Sequence, residues 1–305
     1  MEETITRSKV ISSIERLRRW LGGSYAPYLF ILPFFLMFFI FGLYPLLYAL
    51  ALSFTRWHGA GVPKFIGMNN YTFLLQDDTF WTSLSNSVVM WLLVVPIQIF
   101  LSILVASVLS RPLKLRSIFR TIFLIPYLVP LVAVAQVWLI LFNRDFGAIN
   151  AVLQKVNVQN IGWLTTTQWS KVTIALLVLW KGFGFSILIM LASIQNIPLD
   201  IYESAELDGA TGWAKFWYIT VPLMRRTIAF FMVIATLGIL QMFAEPYVLT
   251  GGGPKNSTTT AGYALLSYIR SLDLGTGAAN SFLLMTLVTL VSLVMLKLMR
   301  AREEI

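Results

Sequence analysis

The chain contains no cysteine and a single histidine. Without cysteine there is no disulfide, no thiol nucleophile and no thiolate-ligated metal. His58 stands beside Gly59 in a polar connection, and one histidine without a partner at defined spacing reads as ordinary loop chemistry, not as part of a triad or metal site. Charge is scarce too: 12% of residues are charged and 57% hydrophobic, far from the balance of a soluble domain. No two carboxylates lie at helical spacing within an apolar run, so an enzyme embedded in the membrane would lack its acid–base pair. Gly251–Thr258 superficially resembles a phosphate loop, but it lacks the required spacing and has Pro254 where a glycine belongs. Gly182-Phe183-Gly184 lies inside an apolar run and follows no strand. The chain is therefore expected to carry no nucleotide site and no cofactor of its own.

What the chain does have is long apolar stretches. Uncharged runs extend from Trp20 to Thr55, Thr79 to Ser110, Thr121 to Asn143, Val172 to Leu199 (interrupted by Lys181), Thr227 to Ala244 and Leu274 to Leu296. Each can hold the roughly 20 residues that cross a bilayer as a helix. The alternating pattern of a membrane barrel is absent, and lipid-facing backbone must bond within its own segment. The expectation is an all-α polytopic membrane protein with six transmembrane helices, near 28–54, 84–109, 121–142, 173–195, 226–247 and 278–297. A basic leader, 1–25, precedes this domain of 26–300, and a short tail, 301–305, follows it. Ala49-Leu50-Ala51 formally resembles a signal-cleavage site, but the apolar stretch before it is about twice the usual length, so the first span is expected to stay.

Basic residues set the orientation. Fifteen of the 23 Lys and Arg fall in one set of connections, among them Arg7, Arg16, Arg111, Lys114, Arg120, Lys215, Arg225, Arg226, Lys297 and Arg302. Seven fall in the other set: Arg56, Lys64, Arg144, Lys155, Lys171, Lys255 and Arg270. The positive-inside rule puts the richer set, with both termini, in the cytoplasm. The net charge of +9 is mostly this topology signal and gives no reason to expect nucleic acid. Ser13–Leu21 could lie as an amphipathic helix on the headgroups, although a plain topology anchor is the preferred reading of the leader. Trp138, Trp163 and Trp169 suit an interfacial aromatic belt. Pro96, Pro126 and Pro130 fall inside spans, where proline kinks a helix.

Span 4 holds Trp180-Lys181-Gly182-Phe183-Gly184, a cation and two helix-weakening glycines. Lys181 stands about 14 residues, or roughly 21 Å, above the cytoplasmic end of its span, and Glu245 about 19 residues, or roughly 28 Å, above the start of span 5. Charges inside a bilayer usually face a cavity, a partner or a path. Trp180, Lys181, Phe183, Gln241 and Glu245 are therefore candidates to line a solute path. A structural ion pair, or snorkelling to the interface, is the alternative.

The connection between spans 4 and 5, Asn196 to Pro222, is a polar island holding four of the fourteen acidic residues. Pro198 can start a helix, Gly209 can end it in the left-handed conformation, Trp213–Tyr218 can form a second short helix, and Pro222 can begin the next element. Ile201, Ala205 and Asp208 share helical spacing, as do Tyr202, Ala205 and Glu206, giving a small-residue face centred on Ala205. Glu203 lies in the first turns, where a carboxylate suits the helix dipole.

This stretch resembles the EAA motif of binding-protein-dependent ABC importer permeases, E-A-A-x-x-x-G-x9-I-x-L-P. Glu203, Ala205, Gly209, Ile219 and Pro222 match in register, with Ser204 and Val221 as mild departures. Ile197–Tyr202, Leu207–Trp213 and Leu249–Pro254 look like the carbohydrate-uptake branch, in particular its maltose- and glycerol-phosphate-type membrane subunits. The resemblance implies a type I importer permease fold in the inner membrane. It also implies a coupling helix that includes Glu203, Ser204, Ala205, Glu206, Asp208 and Gly209, with Ile219 and Pro222 behind it, docked in a cytoplasmic ATPase. Implied partners are two ATP-binding subunits that carry the ATP and Mg, a second and non-identical permease, an external solute-binding protein meeting Arg56–Ser83 and Thr250–Asp273, and a sugar or sugar-like solute. Two rivals remain: a secondary transporter using Lys181 and Glu245 as coupling charges, and an ABC permease for a non-sugar solute such as a polyamine or metal.

Overall fold

The computed structural model describes residues 26–110 and 116–300; the expected leader with its Ser13–Leu21 helix, the tail 301–305, and Arg111 and Lys114 lie outside the described residues. The long apolar runs become helices α1 (Pro27–Ser53), α3 (Asp78–Leu109), α7 (Thr167–Ile194) and α13 (Leu274–Arg300). Two further pairs are bent. α4 (Arg116–Leu128) meets α5 (Leu131–Leu141) at 92°, and α9 (Gly212–Leu223) meets α10 (Arg225–Leu240) at 70°. If each bent pair is one span, six segments are long and apolar enough to cross a membrane.

Between them lie the strands β1 (Thr55–Arg56) and β2 (Lys64–Phe65) and the helices α2 (Asn69–Gln76), α6 (Ala148–Lys155), α8 (Leu199–Leu207), α11 (Ala244–Leu249) and α12 (Ala261–Arg270). The core is the α3–α7 pair, with α4 against α7 and α10 against α3 and α13. Met90, Val94 and Val95 of α3 meet Ile174, Leu177, Ile187 and Met190 of α7, all essentially inaccessible. Polar groups inside this seam satisfy one another: Ser186 of α7 bonds Ser102 of α3 at 2.5 Å and accepts from Gln98 Nε2 at 3.4 Å.

Glycine in α7 permits contact and does not weaken the helix, which runs unbroken from Thr167 to Ile194. A Cβ at Gly184 would overlap the Phe123 carbonyl of α4, and one at Gly182 would come within 2.8 Å of Gln98 Nε2. The two glycines let α7 lie backbone-close between α4 and α3. The expectation that they loosen span 4 is thereby corrected.

Proline acts less simply than the sequence suggests. Pro222 does not begin an element; it lies within α9, two residues before the break at Met224. A π-turn precedes it, with Val221 N–H reaching back to Phe216 O. The same arrangement stands ahead of Pro45 in α1, where Tyr44 N–H reaches Phe39 O. A proline ring has no N–H and collides with the carbonyl four residues earlier, and the wider π-turn moves that carbonyl aside so that the helix continues.

The end remote from the Asn196–Pro222 connection is closed by short elements. Asn70 of α2 donates to Ser53 O and Thr55 O at 2.9 and 2.8 Å, and Leu274 N–H donates to Trp57 O at 3.1 Å. Tyr268 of α12 donates to Asp77 at 3.1 Å; burial, with the nearby carboxylates of Asp77 and Asp273, pushes its phenol above the usual range, so it remains a donor. His58 is exposed between β1 and β2.

Candidate functional site

The connection after α7 folds into a helical hairpin, α8 and α9. Pro198 stands at the N-cap of α8 in an extended conformation, and Asp200 occupies the first turn, where a carboxylate suits the dipole. Gly209, at φ +77°, reverses the chain. Ala210 N–H bonds Ala205 O at 2.8 Å and Gly209 N–H bonds Glu206 O at 3.0 Å, the paired bonds of a Schellman end. Thr211 then caps α9 by accepting from Ala214 N–H at 3.2 Å.

Two links fasten the two arms: Glu206 pairs with Lys215 across the turn, and Tyr202 bonds Thr220 at 2.9 Å. Within α9, Trp213 stacks on Phe216 at 5.3 Å, and Phe216 meets Phe100 of α3 edge-on. Together the two links orient α8. Tyr202 and Glu206 turn toward a cavity of about 1030 Å³ lying over the ends of α3, α4 and α7. Ala205, expected at the centre of the docking face, shares that inner stripe and is only half-exposed. The outward face carries Leu199, Glu203, Ser204, Leu207 and Asp208, with Leu207 90% exposed. Ile219 is half-buried and Pro222 exposed behind it. On the outward face Leu207 stands beside the carboxylates of Glu203 and Asp208.

The other candidates gather where α4 and α5 meet. Lys181 and Glu245 make no direct ion pair among the described residues, although the two charges lie within electrostatic reach. Lys181 Nζ donates instead to Pro126 O, Tyr127 O and Val129 O at 3.4, 3.0 and 2.7 Å, with the Tyr127 ring centroid 5.9 Å away. Phe183 packs edge-on against Phe123 of α4 at 5.9 Å and belongs to the helix interface. Trp180 is 45% exposed and leans on Trp138 of α5. From there rings follow in contact through Phe142 and Trp163 to Trp169, which makes most of the expected interfacial belt an internal stack. Gln241 is exposed in the turn between α10 and α11, and Glu245 follows in α11, which packs on α5 and α7.

Sequence reasoning passed over Asn86. From inside α3 its amide donates to Asn256 O and Thr259 O at 2.8 and 2.9 Å, while Ser87 accepts from Ala261 N–H at 2.9 Å. These bonds seat the glycine-rich connection on the bundle, with Thr258, Thr259 and Thr260 buried beneath it. The only sequence signal was an asparagine and a serine at the edge of an apolar run.

This architecture, a helical bundle with a hairpin presented at one end, defines the membrane component of a binding-protein-dependent transporter. Residues 98–302 match the family described as "binding-protein-dependent transport system inner membrane component", and the chain belongs to it. It is a transport subunit and not an enzyme. The lactose transport system permease protein LacF of Rhizobium radiobacter is 36% identical over 238 residues, covering 76% of this chain and 79% of that protein. The trehalose/maltose transport system permease protein MalF of Thermococcus litoralis is 33% identical over 279 residues, covering 91% and 94%. The crystal structure of a bacterial ABC transporter involved in import of the acidic polysaccharide alginate shares the fold, with a TM-score of 0.81 at 23% identity over 94% of this chain and 99% of that one.

Proposed function

We propose that this subunit forms half of the path of an ATP-driven importer for a sugar or sugar-like solute. The observation that carries the proposal is the α8–α9 hairpin: an outward face of Glu203, Leu207 and Asp208 on a turn that Gly209 fixes, at the spacing of the EAA motif. Two ATPase subunits would hold this face on the cytoplasmic side and bind the ATP and Mg. The basic residues clustered at that end, Lys215, Arg225 and Arg226 among them, support the orientation, which puts both termini in the cytoplasm. The relatives named for lactose and trehalose/maltose transport support the solute class. A related alginate transporter has been solved in complex with an alginate pentasaccharide-bound periplasmic protein. That complex supports an external solute-binding protein; on this chain it would meet the surfaces of Arg56–Ser83 and Thr250–Asp273, and a second, non-identical permease would complete the path.

Trp180, Gln241 and Glu245 are the path candidates of choice, Lys181 being turned onto the carbonyls of the α4–α5 elbow. Trp180 and Gln241 are exposed near the α5–α11 contact, whereas Phe183 packs on Phe123 in the α4–α7 interface. An aromatic face beside polar groups suits a sugar ring.

Reconstitution with the ATPases, second permease and binding protein tests this reading. Glu203→Lys or Gly209→Val should abolish solute-stimulated ATP hydrolysis while the complex still assembles. Unchanged stimulation would overturn it, as would uptake that collapses with an ion gradient and needs no ATP.

A further inference from the structure

The elbow between α4 and α5 exposes backbone carbonyls for a traceable reason. In a continuous helix Pro126 O would accept from the N–H of residue 130, but that residue is Pro130 and has none. Tyr127 O would accept from Leu131, which the 92° bend carries into a new helix axis. Val129 lies in the break itself. Three carbonyl oxygens thus converge at the negative end of the α4 dipole. The Lys181 ammonium, delivered from the unbroken α7, meets all three, and it has three N–H donors to give.

We propose that this elbow is a monovalent-cation site whose cation is supplied in cis. Carbonyls at the end of a broken membrane helix are the ligands that capture small cations in transporters of other folds. Here a tethered ammonium occupies the equivalent position, with the Tyr127 ring centroid 5.9 Å from Nζ. The site links α7 to the elbow of one bent pair. Lys181 acts as a positioning residue that holds the bent state of span 3. Its effect on uptake rests on the importer reading above; its effect on assembly and melting does not.

Chemical rescue tests the proposal. Lys181→Ala removes the equivalent of propylammonium and leaves the carbonyls unpaired. In the reconstituted complex, uptake should fall about tenfold or more, the scale expected when part-buried acceptors lose their charged donor. Added propylammonium should restore most of the uptake and raise the melting temperature, and propanol should do neither. Lys181→Met, which fills the space with no charge, should be defective and refractory to both. Wild-type uptake by Lys181→Ala, or equal rescue by propanol, would overturn the proposal. Should Lys181→Ala fail to assemble, propylammonium present during purification should restore the complex, and failure to do so is again contrary to the site. Wild-type protein without ATP-dependent uptake would sink the importer reading, while the melting and assembly comparisons would still decide this one.

Discussion

At the scale of single residues, two glycines with identical composition have opposite requirements. Gly184 is confined: a Cβ there would overlap the Phe123 backbone, which has no flexible end to move aside. Gly184→Ala should destabilise the subunit by about 1–3 kcal/mol, as overpacking does, measured as a lower melting temperature in detergent. Gly209 has open space, with nothing within 4 Å of a Cβ, but needs φ +77°. Its tolerance should follow backbone preference: Gly209→Asn, which visits the left-handed region readily, should retain coupled ATP hydrolysis, and Gly209→Val should lose it. A reversed order in that assay would mean that size and not backbone governs the turn. Glu206 is another residue whose role is finer than its motif position. It was expected on the ATPase-facing helix, and its carboxylate fastens α8 to Lys215 of α9.

At the scale of elements, the helical character of the apolar runs was legible because a bilayer-length run of uncharged residues has one stable solution, a helix. Their bends were not. Pro96, Pro130 and Pro222 look alike in sequence, yet α3 passes Pro96 without a break, Pro130 stands at a 92° elbow and Pro222 follows a π-turn. What separates them is tertiary: an elbow persists only where a neighbour satisfies the carbonyls that the proline frees, and Lys181 does that across 52 to 55 positions of sequence. Lys181 and Glu245 were recognisable as charges out of place, but their partners were not, since a carbonyl freed by a bend leaves no mark in the sequence. Pro130→Ala offers position 130 an N–H with which to claim Pro126 O. It should straighten the elbow, read as an increased distance between spin labels on α4 and α5, and slow uptake.

At the scale of the whole molecule, the hairpin and the elbow stand at different depths of one bundle, with α7 common to both. α7 ends where the hairpin begins and carries Lys181 to the elbow. The absence of cysteine, which first served to exclude thiol chemistry, makes the chain a ready background for site-directed cross-linking. Cysteines replacing Glu206 and Lys215, joined by a short bis-maleimide, should leave uptake intact, because the ion pair already holds those arms together. Loss of uptake would show that α8 and α9 must separate during the cycle.

The break at Met224 has a mechanical consequence. On one side α9, locked to α8, extends roughly 18 Å, and on the other α10 extends roughly 24 Å, at about 1.5 Å per residue. Two stiff arms of similar length meeting at 70° form a bell crank. Turning about Met224, it would convert a push on the α8–α9 hairpin into a sideways sweep of nearly equal size at Gln241, on the far side of the bundle.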